Sequence, residues 1–117
     1  MDISVKTSLS KELQAKIGAV HNPLTDYLEK YSDTGYPMWD EISAAAFLDN
    51  SIITKEEQLY MDMDISHTAS YGNTLVWTEA DHPGLGEQLV HVQEDLDTAK
   101  FNKLLIELLS RAPANSL

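Results

Sequence analysis

Apolar positions recur at helical spacing over the first fifty residues and at strand spacing over much of the next forty. Leu13, Ile17 and Val20 share one face of a segment whose other positions include Lys11, Glu12 and Lys16, and Ser10 stands where a helix N-cap belongs. Asn22-Pro23 restarts a helix, because asparagine caps well and proline at the first helical position loses only an N–H that has no partner there. Leu24, Tyr27, Leu28 and Tyr31 follow at i, i+3, i+4 and i+7, an amphipathic stripe that Ser32-Asp33-Thr34-Gly35 ends in a turn. A third helix is predicted from Trp39 to Asp49, with Ala44 to Ala46 allowing close approach of a neighbouring helix or sheet.

The period then falls to two. Leu59, Met61, Met63 and Ile65 alternate with Tyr60, Asp62 and Asp64, which predicts a strand with one buried face. Asn73 to Glu79 and Gln88 to Gln93 read as two more strands, separated by Tyr71-Gly72-Asn73 and His82-Pro83-Gly84 turns. A last helix, capped by Asp95 or Asp97, carries Phe101, Leu104, Leu105, Leu108 and Leu109. Three helices, three strands and one helix in that order predict an α+β chain with an antiparallel β-meander, since short connections favour antiparallel neighbours. One partial domain is expected over 1–112, with a frayed tail at 113–117.

Composition narrows the functional classes. The 117 residues are 43% hydrophobic, enough to build a core, and carry a net charge of −11. Eight scattered Lys and Arg and a pI near 4.5 oppose binding to nucleic acid or an anionic membrane, both of which need clustered cations. No cysteine is present, which removes disulfides, thiolate metal sites and a thiol nucleophile. Neither a signal-like apolar run nor a stretch of about 20 apolar residues appears, so the expected location is the cytoplasm.

Among candidate chemical groups, Trp39 and Asp40 come first. A carboxylate at a helix start meets free backbone N–H groups, and a large aromatic plane stands beside it. Taken alone, Asp40 reads as a first-turn charge and Trp39 as a core residue. Asp62-x-Asp64 puts two carboxylates on one face of a strand, which reads as a solvated face before a metal pair. His21, His67, His82 and His91 are widely spaced and show no metal-ligand pattern, and His91 between Val90 and Val92 reads as packed or surface. Ser66-His67-Thr68 and Ser70 lack the G-x-S-x-G context of a nucleophile elbow.

The segment Met38-Trp39-Asp40-Glu41 through Ala44-Ala45-Ala46-Phe47-Leu48-Asp49-Asn50-Ser51 resembles the C-terminal part of the calcium-dependent nucleoside hydrolases, the inosine–uridine family. In that family a His-Asp or Trp-Asp pair opens an Ala-rich helix that ends in a Leu-Asp-Pro-Ser-like turn. The likeness extends upstream through Ser-Leu-Ser-Lys-Glu-Leu and Leu-Thr-Asp-Tyr-Leu-Glu-Lys-Tyr. Downstream it covers Met63-Asp64-Ile65, Gly72 to Val76, Val90-His91-Val92 and the helix from Asp97 to Leu109. It implies correspondence to the C-terminal third of an α/β nucleoside hydrolase fold. It also implies that Asp40 is a calcium ligand and that Trp39 stacks on the base, as in purine-preferring members. Tyr36 and Tyr31 would lie in the segment that closes over the base.

The family's remaining calcium ligands and its general base belong to an N-terminal D-x-D-x-x-x-D-D motif, and Met1-Asp2-Ile3 does not begin one. Calcium takes about six to eight oxygens, and one aspartate gives at most two. The expectation is a fragment or truncated product, inactive alone and binding no calcium by itself, with a nucleoside as partner only when an N-terminal part completes it. The alternative is a non-enzymatic interaction module. Leu13, Ile17, Leu24, Leu28, Ile42, Phe47, Leu48 and the last helix exceed what so small a sheet can cover. An exposed apolar surface and a homo-oligomer built largely from the helical half are therefore expected.

Overall fold

The computed structural model describes residues 8–111, so Met1-Asp2-Ile3 and the tail at 113–117 lie outside the described residues. The chain is α+β and gathers into two compact units. One holds the described residues up to Thr54 together with those from Asp95 onward, and the other holds Lys55–Glu94.

The helical unit contains α1 (Lys11–Gly18), α2 (Pro23–Tyr31), α3 (Trp39–Leu48), a 3-10 turn at Asn50–Ile52, and α4 (Thr98–Ser110). Their starts are set as the sequence predicts. The Ser10 hydroxyl accepts from Leu13 N, and the Asp97 carboxylate accepts from Lys100 N. At α2 the cap is reciprocal: Asn22 Oδ1 accepts from Thr25 N while Thr25 Oγ1 accepts from Asn22 N. Thr25 is fully buried, and Asn22 Nδ2 also donates to the Leu109 carbonyl at 2.8 Å, so this cap ties α2 to α4.

Leu9, Leu13, Ile17, Met38, Ile42, Ala45, Ala46, Ile52, Leu96 and Phe101 form the core, with Leu28, Leu104, Leu105 and Leu109 packed against it. This corrects one expectation. Leu13, Ile17 and Ile42 are not an exposed surplus, because they are buried in one core with Leu9, Ile52, Leu96 and Phe101. Of the residues expected to be bare, Phe47 and Leu48 are strongly exposed. The turn after α3 is fixed to α4: Asp49 accepts from Ser51 N at 3.0 Å and from the Ser51 hydroxyl, and Lys100 Nζ donates to that hydroxyl. The Ser51 hydrogen bonds hold the Asp49 carboxyl below its usual range.

The sheet unit contains most of β1 (Ile53–Met63), β2 (Thr74–Trp77) and most of β3 (Gln88–Leu96). Its order is β2-β1-β3, so the antiparallel sheet is not the expected meander. β1 starts six residues before the predicted alternation. β2 has four residues and covers Tyr60 to Met63 of β1, pairing Tyr60 with Trp77 and Met63 with Thr74. Pairing β3 with the other edge of the long β1 satisfies more backbone groups than the short β2 offers. Cross-strand contacts from Lys55 to Glu94 and from Gln58 to His91 mark that second, antiparallel edge. Lys55 is the first cause of a Glu94 carboxyl held below its usual range. Within 55–94 the single buried residue is Glu87, so the sheet has no apolar core of its own. Among the described residues, no helix is long and apolar enough to cross a membrane.

Candidate functional site

Three backbone contacts set the approach to α3. Leu9 N donates to the Tyr36 carbonyl at 2.9 Å, Gly35 N donates to the Leu9 carbonyl at 2.7 Å, and Ser8 bridges Pro37. Gly35 makes the turn at φ 87°, a left-handed conformation open to glycine at little cost. Met38 then occupies the N-cap without a side-chain cap bond, and its own side chain goes into the core. Ile42, one turn later, is buried as well.

Between these two anchors the helix turns Trp39 and Asp40 outward. Trp39 is 61% exposed, and Asp40 is also exposed. Among the described residues the Asp40 carboxylate makes no hydrogen bond or ion pair. It therefore lies beside the uncapped first-turn N–H groups as a negative charge at the positive end of the helix dipole. Trp39 is not the core residue that its type alone suggests.

The structure brings Trp39 and Asp40 together through adjacency, and the two tyrosines have surroundings of their own. Tyr31 is exposed and meets Tyr27, ring centroids 4.8 Å apart, with Lys30 Nζ 5.0 Å from its ring. Tyr36 lines an apolar cleft with Leu9, Leu28, Met38, Glu41 and Leu105. That cleft holds about 100 Å³, below the roughly 300–1,000 Å³ of small-molecule sites, so it does not accommodate a nucleoside. Among the described residues no ring contact joins Tyr31 or Tyr36 to Trp39.

Among the described residues no donor set completes a calcium shell. Asp40 offers at most two of the six to eight oxygens a calcium ion takes. Among the described residues, no three His, Asp or Glu converge as ligands. The strand carboxylates have other partners. Asp62 Oδ1 accepts from Met63 N, while Asp64 accepts from Ser66 N at 2.9 Å and from the Ser66 and Ser70 hydroxyls. Those bonds from Ser66 and Ser70 lower the Asp64 carboxyl and fasten the loop between β1 and β2. The serines singled out by sequence are thus donors to a loop anchor. His91 is exposed and spans Glu56 at 3.0 Å and Gln58 at 3.3 Å. His67 stacks on Tyr71, and His21 lies 3.7 Å from Asp26.

Sequence reasoning missed a polar cluster after β2. Glu87, whose side chain is 2% exposed, accepts from His82 Nδ1 at 2.6 Å, from Gly84 N at 2.5 Å and from Leu85 N at 2.7 Å. His82 in turn lies flat on Tyr60 of β1. The His82 hydrogen bond, followed by the backbone donors, lowers the Glu87 carboxyl to about 2. An ionised carboxylate only accepts, so Nδ1 carries the proton and Nε2 takes no part in the cluster. Gly84 and Gly86, at φ 72° and 102°, are the readable signal: two left-handed turns in three residues fold a loop back onto whatever follows it.

No family model matches the chain, and no curated protein matches it.

Proposed function

We propose that this chain supplies the C-terminal part of a ribonucleoside hydrolase, cleaving an N-glycosidic bond once an N-terminal part completes it. The observation that supports the reading is the placement of Trp39 and Asp40. They are adjacent, exposed and outside the core, between two buried residues on a helix start that a three-point backbone contact holds in place.

Each residue has a chemically suitable task. Asp40 would give one carboxylate to a calcium ion held mainly by the Asp-rich motif of the completing part, and the chemistry such an ion would supply is Lewis-acid binding of sugar hydroxyls and water. Trp39 offers a face to the base. A purine is the expected leaving group, because stacking on an electron-rich ring favours the protonated base that departs. Tyr36 and Tyr31 are secondary candidates, as residues of the segment that closes over the base in the family. The completed protein works in the cytoplasm on free nucleosides, with no nucleic-acid or membrane partner.

The exposed Phe47 and Leu48 fit a severed interface, whereas the alternative, a non-enzymatic interaction module, would have covered that face with polar residues. Under either reading the chain self-associates.

The test is complementation. The chain, alone or co-expressed with a segment bearing D-x-D-x-x-x-D-D from a calcium-dependent nucleoside hydrolase, is incubated with inosine, guanosine, adenosine and uridine plus calcium, and free base is measured. No release is expected from the chain alone. Release from the complemented protein, lost on Asp40→Ala, supports the proposal. Base release by the isolated chain, or complemented activity indifferent to Asp40→Ala, contradicts it.

A further inference from the structure

A second cleft opens on the helical unit. It is lined by Lys16 of α1 and by Ala99, Asn102, Lys103 and Ile106 of α4, and it holds about 420 Å³. That volume lies within the roughly 300–1,000 Å³ of small-molecule sites, unlike the apolar cleft beside Tyr36. Ala99, Asn102, Lys103 and Ile106 stand at i, i+3, i+4 and i+7, one face of α4. Phe101, Leu104 and Leu105 take the helix's other side into the core, and Ile106, half-buried, packs against the edge of that core.

The charge of this cleft runs against the composition. The chain has 19 Asp and Glu against 8 Lys and Arg, yet two lysines and no carboxylate line the cleft. Other cations are engaged: Lys55 with Glu94, Arg111 with Glu107, and Lys100 with the Ser51 hydroxyl. Among the described residues the Lys16 and Lys103 ammoniums have no acceptor, and the Asn102 amide makes no hydrogen bond. The nearest carboxylates along the two helices do not fill the gap. Glu107, one turn beyond Lys103, pairs with Arg111, and Glu12, one turn before Lys16, does not line the cleft. Three polar side chains with donors to spare therefore share one concave site with an apolar wall.

We propose that this cleft binds a small phosphomonoester, with its phosphoryl group held by Lys16, Lys103 and the Asn102 amide and its carbon body against Ile106 and Ala99. Each ammonium brings three donors and no acceptor, and the amide brings two donors more, which suits an acceptor-only group with three terminal oxygens. A phosphomonoester carries about −1.5 to −2 at pH 7, close to the charge of two ammoniums, whereas a carboxylate balances only one. Lysine serves phosphate as a point charge and needs no fixed fork geometry. Both lysines are exposed, so screening keeps the binding modest, with a dissociation constant on the order of 0.1–1 mM. The inference does not rest on the nucleoside-hydrolase reading. Trp39, Asp40, Tyr31 and Tyr36 do not line this cleft, so the two fail separately.

Amide NMR of the whole chain, titrated with phenyl phosphate to about 10 mM at constant ionic strength, brackets the expected strength. The amides of Lys16, Ala99, Asn102 and Lys103 are expected to shift saturably. Lys16→Met and Lys103→Met, which keep the apolar stem, should each weaken binding about tenfold, the loss of one charge-assisted hydrogen bond. Lys16→Gln and Lys103→Gln replace them if methionine disturbs folding, which the same spectra report. Lys11→Met, altered at an exposed lysine outside the cleft, should bind like wild type. Inorganic phosphate lacks the carbon body and benzoate lacks the second charge, and each should bind about tenfold more weakly than phenyl phosphate. No saturable shift at those four amides, Lys16 and Lys103 variants that bind like wild type, a Lys11 variant weakened as much as they are, or inorganic phosphate or benzoate binding as tightly as phenyl phosphate overturns the proposal.

Discussion

Tyr60 and His82 lie ring on ring, centroids 3.8 Å apart and planes within 10° of parallel. The stack holds the loop between β2 and β3 to the central strand, and Glu87 holds the other side of the imidazole. The Glu87 carboxyl titrates near 2 in the folded chain against an ordinary 4.5, so its folded-state pKa is depressed. The stabilisation it gives is complete above about 4.5 and is lost as pH falls from there toward about 2. Proton NMR is expected to show the Tyr60–His82 cross-peaks, and the shifted Gly84 and Leu85 amides, disappearing within that window. Their loss already near neutral pH would contradict the account. In Glu87→Gln, exchange of those two amides should rise about tenfold at neutral pH, because a charged acceptor is replaced by a neutral one.

Asn22 caps α2 and ties it to α4. Asn22→Ala removes the acceptor for Thr25 N and the donor to the Leu109 carbonyl. A cost of about 1–2 kcal/mol is expected, at the upper end for a helix cap because the second bond goes too. Urea melts followed by circular dichroism measure it. A change within error of zero would show that neither bond matters to α2 and α4.

Asp64 fastens the loop that follows β1 through three side-chain hydrogen bonds. Asp64→Ala is expected to open that loop to chymotrypsin at Tyr71 while leaving the thermal transition of the helical unit unchanged. Cleavage no faster than in wild type would mean that the backbone contacts of Asp64 with Gly72 and Asn73 hold the loop unaided.

The elements that local chemistry decides were legible in the sequence. Ser10, Asn22-Pro23 and Asp97 mark helix starts because capping depends on two or three neighbouring residues, and all three act as caps or first-turn residues here. Trp39 was legible as a helix start without such a cap, since Met38 makes no side-chain cap bond. Strand order was not, because the choice of which edge of β1 receives β3 depends on the relative lengths of strands far apart in sequence. The first half of β1 was missed because Thr54 to Gln58 are all exposed and show no alternation to read. The exposure of Trp39 and the burial of Glu87 were hidden as well. Both reverse what their residue types favour, and both depend on contacts that periodicity does not show, the Leu9 pairing in one case and the His82 hydrogen bond in the other.

The account rests on Trp39 and Asp40 being displayed by the fold without supporting it. Equilibrium urea denaturation of Asp40→Asn, Trp39→Ala and Ile42→Ala, each near 1 μM so that association does not contribute, tests this most directly. Ile42→Ala should cost about 2–4 kcal/mol, since it empties a buried position. Asp40→Asn and Trp39→Ala should each cost under about 1 kcal/mol, as surface substitutions do. If Asp40→Asn unfolds the chain, or Trp39→Ala costs as much as Ile42→Ala, the pair belongs to the scaffold and the site assignment is wrong.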